Sequence, residues 1–249
     1  MSHEADMGTG GILLTDVTVR RGGNTLLDRV SFTAPVGARI GLAGANGAGK
    51  STLLKVAVGL ARPTSGGVTW DGQWQPGTRA VAFVPQGKPL YPGLTPARAM
   101  TVARDLNRGT WDGGSASAWL SAFDIPTGRA CSLLSGGERA QVAIALALGR
   151  AVPYLVLDEP FAELDPVARV DAITLLRSVL EESGRTLLVS SHLLSDIDDL
   201  CDHLMVLNHG RLTLGGERSE IIARHPGSTV SETAMAAMRR GWTDGGAAS

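Results

Sequence analysis

The 249-residue chain has no uninterrupted apolar run longer than the one at residues 142–148. A bilayer-spanning helix needs ~20 such residues, so a cytoplasmic protein, or one peripheral to the inner face of the cell membrane, is expected. The first eleven residues are polar and hold no apolar stretch of signal-peptide type. The two cysteines, Cys131 and Cys201, are too few for a disulfide framework and lack zinc-like spacing; they read as two buried thiols. Net charge is −1, which gives no electrostatic case for a nucleic-acid partner. No internal repeat, long coiled coil or added regulatory domain is visible. Lysine is scarce: of 23 Lys and Arg, only Lys50, Lys55 and Lys88 are lysine. Glycine, with 32 residues, is about twice its usual share, as expected of tight turns and close backbone approaches to a ligand.

One of the three lysines stands in GANGAGKST, residues 44–52. The apolar run 39–43 before it reads as a buried strand. Residues 51–60 after it read as a helix ending near Pro63. A strand-to-helix turn of the form G-x-x-x-x-G-K-[ST] is a phosphate loop. Glycines let the loop curl its N–H groups inward, and the helix that follows adds its own unpaired donors and positive dipole end. Gly44, Asn46, Gly47, Gly49, Lys50, Ser51 and Thr52 are therefore the expected phosphate contacts. Lys50 faces the β/γ-phosphates of ATP or GTP, and the Ser51 hydroxyl serves as a Mg²⁺ ligand. The loop alone names no reaction.

Tyr154-Leu-Val-Leu-Asp-Glu-Pro160 is a continuous apolar strand ending in two acids, the pattern of a strand buried on both faces. Open α/β sheets bind ligands where their strands end. Asp158 is expected in the magnesium shell. Glu159, facing away from Asp158 because neighbouring strand residues alternate, could polarise an attacking water. Leu134-Ser-Gly-Gly-Glu138 precedes an almost wholly apolar helix. Ser135 and Glu138 fit a capping box that starts this helix, whose first turn is a second ready anion site.

With the two preceding motifs, this stretch resembles the signature of the ATP-binding-cassette family; within that family, residues 86–95 and the missing long C-terminal domain look most like bacterial exporter ATPases, with an importer left open. The resemblance covers about residues 12–216 and extends motif by motif. Val84-Pro-Gln86 is similar to the glutamine loop, which puts Gln86 near Mg²⁺ and the attacking water. Thr186-Leu-Leu-Val-Ser-Ser-His192 is similar to the switch segment, which makes His192 a γ-phosphate contact. Phe161-Ala-Glu-Leu-Asp165 resembles the D-loop, with Asp165 at a dimer contact. The resemblance implies that Ser135, Gly136, Gly137 and Glu138 of one copy clamp the nucleotide held by another. It thus implies a head-to-tail dimer around two ATP molecules, from identical or paralogous chains, and a separate transmembrane permease. The family's adenine-stacking aromatic is missing; its place holds Arg21, whose planar guanidinium can stack on a base. Two other classes compete. A soluble cassette ATPase acting on DNA or ribosomes would carry tandem cassettes, coiled coils or zinc motifs. A kinase would leave Ser135, Glu138 and His192 unexplained.

The resemblance implies an α/β fold of the P-loop NTPase, RecA-like type: a mixed sheet core, a small antiparallel β layer and a helical subdomain. The antiparallel layer is expected from alternation over residues 12–34 and from Val68 to Gly72, and a hairpin turning at Asn208-His-Gly210 is also expected. The core then spans residues 10–86 and 137–220. A Pro- and Gly-rich entry opens a helical insert at 87–136, with helices from Thr95-Pro96 to about Asn107 and from Ser115 to about Phe123. Residues 221–249 form a short tail, with a brief helix at 231–240 and disorder over 243–249.

Overall fold

A computed structural model describes residues 11–74 and 80–239; the tail residues 243–249 lie outside that range. The chain starts with two long antiparallel strands, β1 (Ile12–Arg21) and β2 (Asn24–Ala34), joined at Gly22-Gly23. They form a four-stranded sheet with β4 (Ser65–Trp70) and β5 (Gln73–Trp74), in the order β2-β1-β4-β5. This is the expected antiparallel layer.

The second sheet has the order β10-β9-β3-β8-β7-β6. Its strands are β3 (Arg39–Ala43), β6 (Val81–Val84), β7 (Tyr154–Asp158), β8 (Thr186–Ser191), β9 (His203–Asn208) and β10 (Arg211–Glu217). All neighbours are parallel except the β9–β10 hairpin. Every residue of β7 and β8 is buried, because helices cover both faces. Side-chain alternation divides the core accordingly. Tyr154, Val156 and Leu188 join the cluster with α1 (Lys50–Ala57) and the antiparallel layer. Leu155, Leu157 and Val189 join the other face, under α4 (Gly136–Leu148), α5 (Pro166–Ser183) and α6 (Leu194–Leu200).

Parallel pairing brings the C-terminal ends of β3, β8, β7 and β6 to one edge, with Ala43 opposite Ser191, Ser190 opposite Asp158 and Leu157 opposite Val84. The loop at residues 44–52, Gln86, the acids Asp158 and Glu159 and His192 each lie at or just after one of these four ends; the Ser135–Glu138 stretch instead follows the insert and opens α4.

The insert carries α2 (Pro96–Leu106) and α3 (Gly113–Ala122). Thr95 caps α2, its side chain accepting from the Arg98 N–H. The second helix starts two residues before the expected Ser115, because the Asp112 carboxylate accepts from the Gly114 and Ser115 N–H groups. The buried Trp119 of α3 donates to Gln141 of α4 at 2.8 Å and so ties insert to core.

Two further boundaries differ from expectation. Helix α1 stops at Ala57, short of Pro63, because Gly59 adopts φ +77° and the N–H groups of Leu60 and Ala61 turn back to the Lys55 carbonyl, a glycine C-cap. Beyond residue 217 the chain forms α7 (Arg218–Arg224), which was not expected, and then α8 (Val230–Arg239) at the place of the expected brief helix. Val230, Ala234 and Ala237 of α8 are buried, and Asn208 at the end of β9 donates to the Met238 carbonyl at 2.7 Å.

Candidate active site

Residues 44–49 turn from β3 into α1. Gly49 is the N-cap of α1 at φ +107°, and a Cβ there would lie 2.8 Å from the Leu26 carbonyl oxygen. Glycine is required on both counts. No side chain caps this helix, so its leading N–H groups, with the dipole behind them, face the cavity as anion donors. The cavity measures about 270 Å³ and is lined by Asn46, Gly47, Lys50, Ser51 and Thr52 on one side, and by Gln86 and Glu159 on the other.

Lys50 is buried although it is a lysine. Its Nζ donates to the Gly44 carbonyl at 2.7 Å and lies 3.4 Å from Glu159 Oε1. The loop thus folds around its own cation. Glu159 is buried too, and its other oxygen, Oε2, lies 2.8 Å from His192 Nδ1 and 3.3 Å from the His192 N–H. The His192 side chain is 47% exposed, so the ring bridges the carboxylate and solvent.

The orientation of Glu159 has a different cause from strand alternation. Strand β7 ends at Asp158, and Glu159 follows it at φ +48°. A left-handed residue directly after the strand aims its carboxylate into the cavity, at a backbone cost of the order of 1–3 kcal/mol.

Asp158 is 1% exposed and accepts from the Ser190 hydroxyl at 2.7 Å. That hydroxyl also accepts from the Glu159 N–H at 2.9 Å, so one serine sets both acids. Ser191 donates to Asp196 at 2.8 Å and accepts from the Leu193 N–H at 3.0 Å, framing His192. Burial is the largest influence on the Asp196 carboxyl and pushes its pKa up, against the Ser191 hydrogen bond. Sequence reasoning missed Ser190, Ser191 and Asp196. The signal was two adjacent hydroxyls in an otherwise apolar buried strand, since buried polar groups need partners.

Ser51 and Gln86 line the cavity and Asp158 does not; their hydroxyl, amide and carboxylate oxygens are hard donors of the kind Mg²⁺ takes. Among the described residues no cluster of three His, Cys, Asp or Glu could hold a metal alone.

The remaining candidates lie elsewhere. Ser135 caps α4, accepting from the Glu138 N–H at 3.1 Å while Glu138 accepts from the Ser135 N–H at 2.6 Å; the expected capping box is complete. Neither of them, nor Gly136 or Gly137, lines this cavity. Asp165 spends one carboxylate oxygen on the N–H groups of Val167 and Ala168, both at 3.0 Å, as the N-cap of α5. Arg21 is exposed at the end of β1 and does not line the cavity; Leu26 does.

The family model described as ABC transporter matches residues 27–162, more than half of the chain. The chain is 34% identical over 220 residues to the thiamine import ATP-binding protein ThiQ of Jannaschia sp. (strain CCS1), covering 85% of this chain and 95% of that protein. It is also 34% identical over 234 residues to the Nod factor export ATP-binding protein I of Sinorhizobium fredii, covering 89% of this chain and 67% of that protein. A solved dimeric, post-hydrolysis ATP-binding cassette bound to ADP and Pi matches with TM-score 0.75 and 25% identity, covering 83% of this chain and 98% of that one. The chain therefore belongs to the ABC transporter family, as an ATP-binding subunit that hydrolyses ATP.

Proposed function

We propose that two such subunits, identical or paralogous, close head to tail around two ATP–Mg²⁺ and drive a substrate through a separate membrane subunit. The observation that carries this reading is the separation of the two anion-binding helix starts. Within one chain the cavity at α1 contains no residue of the 135–138 signature, although Ser135 and Glu138 hold the start of α4 in order. A second copy supplies what the first lacks.

In this reading Lys50 and the N–H groups of α1 bind the β- and γ-phosphates, and Ser51, Gln86 and Asp158 hold Mg²⁺. Glu159 accepts a proton from the attacking water, and His192 orients Glu159 and meets the γ-phosphate. Contacts made only in the closed pair shift the population toward closure, and loss of the γ-phosphate releases it. The adenine rests against Leu26 and the end of the antiparallel layer, and Arg21 adds a stacking plane from its rim.

The membrane subunit docks in the apolar groove beside residues 86–95. Leu90, Leu94, Val102, Leu106 and Leu146 line it, and Tyr91 and Leu106 are more than three-quarters exposed. No described helix is long and apolar enough to cross a membrane, so the path for the substrate belongs to that partner, and this chain works peripherally on the inner face. Relatives named for import and for export align at the same 34% identity. The exporter-like look of residues 86–95 therefore weighs little, and direction is a property of the membrane subunit.

Sedimentation with Mg-ATP tests the central claim. The protein should dimerise with ATP, and Ser135→Arg should block dimerisation while monomer ATP affinity is retained. Normal dimerisation of that variant would reject the in-trans role.

A further inference from the structure

Lys88 belongs to no recognised motif, yet its side chain is only 3% exposed and its Nζ lies 3.0 Å from Glu163 Oε1. Its backbone is left-handed, at φ +41°. Lys88 thus reaches from the wall of the apolar groove to the loop between β7 and α5. Glu163 turns its second oxygen toward the start of α4. A Cβ on Gly136 would fall 2.3 Å from Glu163 Oε2, so that oxygen lies directly over the Gly136 backbone. Arg139 Nη2 stands 4.0 Å from the same oxygen. Its other amino group, Nη1, is held by the Leu134 carbonyl at 2.7 Å.

The consequence is electrostatic. A helix start attracts phosphate through its N–H groups and dipole, but Glu138 already places one carboxylate in this first turn. Glu163 adds a second, which opposes an incoming phosphate, and Lys88 offsets that charge from the groove side. The Lys88–Glu163 pair is separate from the capping box and from the Lys50 cluster.

We propose that Glu163 is a charge gate on the signature helix, its charge offset by the Lys88 ammonium, so that a residue of the docking groove sets how readily a second copy's ATP is accepted. The inference rests on the head-to-tail reading above. A partner filling the groove against Lys88 would alter its hold on Glu163, and with it the ATP concentration needed for closure.

The test is an ATP titration of dimer formation in a Glu159→Gln background with Mg²⁺, read by sedimentation velocity. Glu163→Gln keeps an acceptor for Lys88 and removes the charge; it should lower the ATP midpoint by roughly fivefold, the scale of one charge at contact distance in a water-like medium. Lys88→Met removes the offset and should raise the midpoint by a similar factor, and Lys88→Arg should restore it. Monomer ATP affinity, measured with Ser135→Arg added, should stay constant throughout. Opposite shifts from the two ends of one ion pair are the signature of a gate. Shifts of the same sign, as from a plain strut, or no shift at all, overturn the proposal while leaving the dimer reading intact. Failure of the Glu159→Gln background to dimerise at any ATP concentration would overturn the dimer reading itself.

Discussion

The Lys50 ammonium stands 3.4 Å from the Glu159 carboxylate, with both side chains less than a tenth exposed. The phosphate loop and the end of β7 are therefore joined by charge as well as by the sheet. Cutting one partner of a buried pair leaves an uncompensated charge, which costs about 3–5 kcal/mol. His192 still bonds Glu159, so the low end applies. Lys50→Ala should lose roughly 3 kcal/mol of stability and weaken ATP binding at least tenfold. Lys50→Ala combined with Glu159→Gln should regain most of the stability and none of the affinity. Urea melts and calorimetric ATP titrations separate the two effects. Unchanged ATP affinity in Lys50→Ala would refute the role given to the loop.

Glu159→Gln alone should keep ATP binding, because it removes a negative charge from beside the phosphates. Its turnover should fall ~10²–10⁴-fold, the usual worth of a general base, and with Mg-ATP it should sediment as a dimer. Phosphate release and sedimentation check the two parts. A monomer with full ATPase activity would contradict both.

Asp202 gives a stability prediction away from the chemistry. Its carboxylate accepts from the Arg39 N–H at 2.8 Å, from Arg39 Nε at 3.1 Å and lies 2.8 Å from His203 Nδ1. It thereby lashes the start of β3 to the start of β9. Burial alone would push its pKa up, but the hydrogen bonds from His203 and Arg39 outweigh burial and hold it below the usual carboxylate range. A depressed folded pKa means stability that is present above the ordinary value of about 4 and lost as pH falls through the lower folded one. Asp202→Asn should cost about 1 kcal/mol at pH 7, discounted for a side chain that is 39% exposed. The deficit should vanish in acid, where the parent is protonated too. Urea melts at neutral and acid pH measure it, and a deficit that persists in acid would mean the charge is not its source.

What could be read from the sequence divides by range. The phosphate loop, the acids after β7, His192 after β8 and the Ser135–Glu138 box are each local patterns on the end of an element, and local patterns survive folding. The parallel sheet was legible in the same way, because continuous apolar runs such as residues 154–157 require cover on both faces. The overlooked features are of two kinds. Gly59 at the end of α1 and Asp165-Pro166 at the start of α5 are ordinary cap signals that the functional motifs overshadowed. The Lys88–Glu163 pair, the Asn208 bond to Met238 and the Ser190 bridge to Asp158 join residues 75, 30 and 32 positions apart, and no local pattern announces them. The left-handed turn at Glu159 is of this second kind, since nothing in an Asp-Glu-Pro sequence requires it.

The β9–β10 turn supports the phosphate loop from behind, and Gly210 is the point of contact. Its N–H donates to the Ala48 carbonyl at 3.0 Å, and its carbonyl accepts from the Asp28 N–H at 2.8 Å. It sits at φ +76°, and a Cβ there would meet the Leu26 carbonyl oxygen at 2.6 Å. Gly210→Ala must therefore strain the backbone and push either β2 or the loop away. The left-handed strain alone is about 1–2 kcal/mol, and the displaced contact adds to it. Because Leu26 and the loop both line the cavity proposed to hold the nucleotide, ATP affinity should fall by roughly tenfold, or 1.4 kcal/mol. Gly22→Ala is the control: at φ +54° with open space around it, it carries the strain without the collision. It should lose about 1 kcal/mol of stability with ATP affinity intact. Equal affinity losses in the two variants, measured by the same calorimetric titration, would mean that strain anywhere in the molecule loosens the site and that the Gly210–Ala48 contact has no special role.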